Sequence, residues 1–181
     1  MTSNSEILTT YYSEVAIQKR VQELAAQIIE DYGEKPVTIV CMLKGAVIFT
    51  ADLARHLPMD IALEFMEVSS YGDATQSSGV VRIIKDVSRA VTGKHVLLVE
   101  DIIDSGKTLA CVTAHLQQQN PASLKVCAFL DKPDRRVDFE CQPDYVGFSI
   151  PDEFVVGYGL DYAQRFRNLP YLGTLAFIES Q

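Results

Sequence analysis

The chain has 181 residues, 48% of them hydrophobic and 22% charged, proportions that suit one folded domain with a sizeable core. Its formal net charge of -8 argues against a nucleic-acid binder, which needs a basic face. It leaves a small anionic ligand to be held by local groups or by a metal. Neither a secretory signal nor an apolar run of membrane-spanning length is visible, so the expected setting is cytoplasmic with no membrane partner.

Between Ser13 and Tyr32, the residues Val21, Leu24, Ala25, Ile28 and Ile29 recur at helical spacing, with Ser13 as cap and Gly33 as stop. "VTIVCML" (Val37 to Leu43) is a continuous apolar run, as expected of a strand buried on both faces. "GAVIFTADLARHL" reads as a helix that stops at Pro58, and "IALEFMEVSS" as a strand. The stretch from Ser69 to Gly79, "SSYGDATQSSG", has neither periodicity and reads as a mobile loop, a candidate lid. "VVRIIKD" and "HVLLVE" follow as strands, "TLACVTAHLQQQN" as a helix ending at Pro121, and "LKVCAFL" as a strand. "DYVGFSI", "FVVGYGL" and "LGTLAFI" are short strand-like runs.

This alternation predicts βαβ units and a parallel sheet in one domain over residues 1–181. Cys41, Cys111, Cys127 and Cys141 form no C-x-x-C pair. They are expected as buried free thiols.

The most informative stretch is "VLLVEDIIDSGKTL", Val96 to Leu109. It places a turn at the carboxyl end of a parallel strand, where open α/β sheets bind ligands. Ser105, Gly106, Lys107 and Thr108 fall at a helix amino terminus, where free N–H groups and the dipole favour a phosphate. A P-loop is excluded, because that pattern needs glycine where Asp101 stands. Glu100 and Asp101, expected to face one pocket, suit a vicinal diol or a hard cation such as Mg²⁺. Asp104, nearest the phosphate cradle, suits a proton acceptor. A solvated acidic turn does not explain adjacent carboxylates ending so apolar a strand. A ribose 5-phosphate satisfies all of these demands.

The same stretch resembles the signature of type I phosphoribosyltransferases, which binds 5-phosphoribosyl 1-pyrophosphate (PRPP). "MLKGAVIF", "SSYG", "LDKPDRR" and "GFSIPDEFVVGYGLDYAQRFRNLPYLG" extend the likeness to the hypoxanthine-guanine branch and its bacterial members, over roughly residues 37 to 175. The resemblance implies a parallel twisted sheet flanked by helices, with a small hood built from the N- and C-terminal segments. It implies Mg²⁺-dependent transfer from PRPP to a 6-oxopurine by a homodimer or homotetramer.

Carried over residue by residue, Glu100 and Asp101 would hold the ribose hydroxyls and metal, with Asp161 also metal-associated. Asp104 would act as general acid/base at N7 of the purine, and Ser105 to Thr108 would cradle the 5-phosphate. Leu43, Lys44 and Gly45 would form the pyrophosphate loop, with a cis peptide before Lys44, joined by Arg167, Ser70 and Tyr71. Lys132 would donate to the 6-oxo group, disfavouring adenine because an ammonium cannot accept a hydrogen bond. Phe154 would stack on the base and Val155 would face its far edge. A xanthine-preferring enzyme and a non-catalytic PRPP- or nucleotide-binding regulator of the same fold remain open alternatives.

Overall fold

In chain order the elements are β1 (Ser5–Tyr12), α1 (Glu14–Tyr32), β2 (Val37–Leu43), α2 (Val47–Arg55), β3 (Ile61–Ser70), β4 (Val81–Lys85), β5 (His95–Ile103), α3 (Lys107–Gln117), β6 (Ser123–Asp131), β7 (Tyr145–Ser149), β8 (Val155–Val156) and β9 (Leu172–Ile178). Among the described residues a 3-10 turn lies at Pro133–Arg135. The structure, a computed structural model, describes residues 5–70, 81–137 and 142–178.

Six strands form the main sheet in the order β4-β3-β2-β5-β6-β7. Every neighbouring pair is parallel except β3 with β4. The apolar runs explain the centre of this sheet. Ile39, Val40 and Cys41 of β2 and Val96 to Val99 of β5 are fully buried, as strands covered by helices on both faces must be. Against one face α1 lays Ile17, Val21, Leu24 and Ile28, and α2 lays Phe49 and Leu53. A second, three-stranded antiparallel sheet, β1-β9-β8, joins the two ends of the chain. This is the hood that the resemblance implies.

Local chemistry sets the ends of the elements. Ser13 Oγ accepts from the Ala16 N–H at 3.3 Å and caps α1, and Gly33, at φ 59°, closes it. α2 ends at Arg55, ahead of Pro58, and α3 at Gln117, ahead of Pro121. Two expectations change. Ser5–Tyr12, which carries no strand signal of its own, pairs with β9. "FVVGYGL" keeps only Val155–Val156 as strand, because Gly157, Tyr158 and Gly159 take φ values of 99°, 48° and 105°. Cys41, Cys111 and Cys127 are free thiols, Cys111 only half-buried, and Cys141 lies outside the described residues. No described helix is long and apolar enough to cross a membrane.

Arg20 clamps α1 to the edge strand β7. Its Nε donates to the Gly147 carbonyl and its Nη2 to the Val146 carbonyl, both at 2.7 Å. Charged hydrogen bonds to partly buried carbonyls contribute about 1.5–3 kcal/mol each before neighbours relax. Arg20→Ala is therefore expected to lower unfolding free energy by about 1–3 kcal/mol. Urea titration checks this against Lys19→Ala, whose 4.0 Å pair with Glu23 is exposed and is expected to leave the midpoint unmoved.

Candidate active site

β2 is paired with β5 from Val37 with His95 to Cys41 with Val99. β5 then runs on beside β6 as far as Ile103 with Asp131. The chain leaves β2 through α2 toward β3, and leaves β5 through α3 toward β6. The two crossovers thus diverge between adjacent strands, the point at which α/β sheets open a crevice for ligands.

On the β2 side the backbone turns through a cis Leu43–Lys44 peptide. Gly45 follows, packed so tightly that a Cβ there would lie 1.5 Å from Asp101 Oδ2. Gly159 backs the same loop, where a Cβ would lie 2.0 Å from the Gly45 carbonyl oxygen. Gly159, at φ 105°, has the backbone of the Gly45 loop in contact, and at Gly45 the Asp101 carboxylate fills the space a Cβ would take. Lys44 stands exposed beside them.

On the β5 side, Gly106 at φ 85° starts α3. Glu100, Ile102, Ile103, Asp104, Ser105, Gly106, Thr108 and Leu109 line a cavity of about 80 Å³ at that helix start, of a size for one phosphate group. Lys107 is exposed.

Glu100 and Asp101 do not share one pocket, as the sequence reading expected. Consecutive strand residues point to opposite faces. Glu100 lines the small cavity under α3, whereas Asp101 lines a second cavity of about 280 Å³ with Ile102, Asp104, Lys132, Phe154, Val155, Leu160 and Asp161. Ile102 and Asp104 border both, so the two cavities adjoin.

Burial pushes the Glu100 carboxyl well above the usual carboxylate range, with Asp101 adding like-charge repulsion. Burial also raises Asp101, against the pull of its hydrogen bonds to backbone N–H groups. Glu100 Oε1 is buried without a hydrogen-bond partner, a state that a hydroxyl or cation arriving in the cavity would relieve.

In the larger cavity Phe154 is 53% exposed, and its ring meets Tyr162 edge-on at 5.8 Å. Lys132 is buried, and its Nζ donates to Asp152 Oδ1 at 3.3 Å. Asp161 Oδ1 pairs with Arg167 Nη2 at 2.6 Å, and Arg167 Nη1 donates to the Gly159 carbonyl at 2.8 Å. Asp161 and Arg167 thus meet each other at the mouth of the site. Ser70 ends β3, while Tyr71 and the rest of the expected lid to Gly79 lie outside the described residues.

Among the described residues no three His, Cys, Asp or Glu side chains converge as a metal cage. Mg²⁺ commonly takes only one or two protein carboxylates and completes its shell with water and substrate phosphates. Glu100, with its unpartnered buried oxygen, and the hard-oxygen carboxylates Asp101 and Asp161 fit that mode of binding.

Sequence reasoning missed Arg135 and Asp152. Arg135 Nε lies 3.0 Å from Asp104 Oδ1, and its Nη1 lies 3.4 Å from Asp152 Oδ2. The "DRR" doublet was visible, but nothing local tells which arginine turns outward.

A strand-end crevice with a phosphate-sized cradle, an adjoining base-sized cavity and carboxylates between them describes an enzyme that handles a phosphorylated sugar. The model of the phosphoribosyl transferase domain family matches residues 8–163, and the chain belongs to that family. It is 52% identical over 165 residues to the hypoxanthine-guanine phosphoribosyltransferase of Mycobacterium tuberculosis, covering 88% of this chain and 81% of the relative. The enzyme of that name from Bacillus subtilis is 48% identical over 164 residues, covering 90% of each. The crystal structure of a Bacillus anthracis hypoxanthine-guanine phosphoribosyltransferase, with HEPES in its active site, matches with a TM-score of 0.88. Its sequence is 42% identical, covering 95% of this chain and 99% of that one. The family resemblance and the fold expected from it are borne out.

The raised Glu100 carboxyl makes stability depend on pH. The folded chain holds this proton after the unfolded chain has released it, so stability falls as pH rises from the unfolded value through the folded one. Glu100→Gln, which cannot ionise, is expected to flatten that decline and to exceed the wild type in stability at the alkaline end. Urea midpoints across pH in metal-free buffer check this, and parallel curves for the two proteins would contradict it.

Proposed function

We propose that the chain serves purine salvage by transferring ribose 5-phosphate from PRPP to N9 of hypoxanthine, guanine or both, giving IMP or GMP and pyrophosphate. The observation that carries the reading is the adjacency of the two cavities. One is built at a helix start for a phosphate, the other is lined by Lys132, Phe154 and Val155, and Asp104 borders both. The names of the relatives support the choice of base.

In this reading Ser105 to Thr108 hold the 5-phosphate through backbone N–H and hydroxyl donors. Glu100 and Asp101 accept from the ribose hydroxyls at the strand end, where the two cavities adjoin. Lys132 donates to the 6-oxo oxygen, Phe154 covers the ring face, and the backbone of Val155 meets the far edge of the base. Asp104 takes the N7 proton as N9 attacks the anomeric carbon, so that the purine does not build up positive charge. Lys44, the Gly45 backbone and Arg167 hold the departing pyrophosphate, where negative charge grows in the transition state. Glu100, Asp101 and Asp161 are the residues that would hold Mg²⁺, which would supply further neutralisation of that charge. A homodimer or homotetramer in the cytoplasm is the assembly and setting that the family resemblance supports.

The test mixes the protein with PRPP, Mg²⁺ and each of hypoxanthine, guanine, xanthine and adenine, and follows pyrophosphate release. Turnover with hypoxanthine or guanine is expected. Turnover with xanthine alone would reassign the base, and no release with any base would leave a PRPP- or nucleotide-binding protein. Asp104→Asn is expected to lower kcat by about 10²–10⁴-fold while PRPP still binds. Lys132→Ala is expected to lose discrimination between 6-oxo and 6-amino purines, read as the ratio of kcat/KM for hypoxanthine and adenine.

A further inference from the structure

Three loops meet over the larger cavity and are stitched together by their backbones. The Lys132 N–H donates to the Ile103 carbonyl at 2.9 Å, and the Val137 N–H to the Ser105 carbonyl at 3.0 Å. The segment between them therefore lies across the turn that carries Asp104. The Ile150 N–H donates to the Asp131 carbonyl at 2.9 Å, which brings in the loop bearing Asp152. Across these loops the side chains alternate in charge: Asp104 with Arg135 at 3.0 Å, Arg135 with Asp152 at 3.4 Å, Asp152 with Lys132 at 3.3 Å.

The two ends of this row, Asp104 and Lys132, are an acceptor and a donor lining one cavity. A 6-oxopurine presents the complement on a single edge, an acceptor at O6 beside a donor at N7–H. Resting on the reading above, we propose that Arg135 and Asp152 are positioning residues: together they hold Lys132 and Asp104 at the spacing of the O6 and N7 edge, so that recognition of the oxo group and removal of the proton act on one aligned base.

The chemistry of each member suits this role. A guanidinium is planar and donates in two directions at once, so Arg135 can hold Asp104 and Asp152 together. Nε uses only Oδ1 of Asp104, which leaves Oδ2 for the base. Lys132 has three N–H donors, so it keeps Asp152 while donating to O6. Arg135, Asp104 and Asp152 are each about half exposed. Pairs so placed add little to fold stability, and a loss of function without a loss of stability is therefore the expected signature.

The experiment compares wild type with Arg135→Gln, Arg135→Lys and Asp152→Asn. Arg135→Gln is expected to lower kcat/KM for hypoxanthine by about 10–100-fold, the scale of a misplaced reacting group, with the KM for PRPP and the thermal midpoint unchanged. Arg135→Lys, which keeps the charge on Asp104 but cannot fork, recovers part of the loss. Asp152→Asn raises the KM for the base. A wild-type kcat/KM in Arg135→Gln, or losses shared equally by base and PRPP together with a lowered midpoint, would overturn the proposal.

Calorimetric titration with hypoxanthine, which presents both O6 and N7–H, and with ribose 5-phosphate separates this idea from the parent one. Arg135→Gln should weaken hypoxanthine alone, and equal affinities in variant and wild type would again overturn it. If the wild type fails to turn over any base, the catalytic reading falls, while the hypoxanthine comparison still decides the positioning role.

Discussion

β2 and β5 are hydrogen-bonded as far as Cys41 with Val99 and no further, and the site follows from that parting. Had the two strands stayed paired, the backbone of β2 would occupy the crevice where the ligand must sit. β2 instead turns away through Leu43, Lys44 and Gly45 while β5 keeps its ladder with β6. Two loops of different chemistry are left facing each other across one strand width, the spacing of neighbouring strands being about 4.8 Å. The Gly45 backbone lies against the Asp101 carboxylate with no room for a side chain. The distance between the loop proposed for pyrophosphate and the acids proposed for ribose is thus set by the Gly45 backbone resting on the Asp101 side chain, with the Gly159 backbone packed behind it.

A strand end also resolves how acids and a phosphate cradle coexist in one short stretch. Alternation sends Glu100 beneath α3 and Asp101 toward the larger cavity. Burial pushes the Glu100 carboxyl well above the usual carboxylate range, and Asp101 stays close enough to raise it further by like-charge repulsion. The net charge of -8 is no obstacle to PRPP, because exposed charges are largely screened beyond about 8–10 Å. In the proposed reading, what the ligand meets at short range is the start of α3, Lys44 and Arg167.

The core strands were legible in sequence because burial on both faces leaves nothing but apolar runs: β2, the first half of β5, and β6 each read that way. The motif after β5 was legible for a related reason, since carboxylates at the end of such a run have no packing role. β1 was not legible. Its partner β9 lies about 160 residues away in the chain, and a strand defined by so distant a ladder carries no local period. β8 shrank for the opposite reason, a local one. Three successive positive φ values at Gly157, Tyr158 and Gly159 end extended structure whatever the hydrophobicity of the run. The direction in which each carboxylate points required the register of the strand, and the expectation of one shared pocket failed on that point alone.

The two arginines of "DKPDRR" show how one turn separates fold from function. Arg136 is 6% exposed and pairs with the buried carboxylate of Asp131, donating also to Gln142 at 3.2 Å. Removing one partner of so buried a pair leaves an uncompensated charge, at a cost of about 3–5 kcal/mol, so Arg136 belongs to the framework that fixes the segment. Arg135, one residue earlier, is carried by the 3-10 turn to the outer side, where its partners are half exposed. Exposed pairs add little to folding, too little to explain on stability grounds why four charges line up in alternation over the larger cavity. The inner arginine holds the loop in place, and that fixed loop is what allows the outer one to act on Asp104 at all.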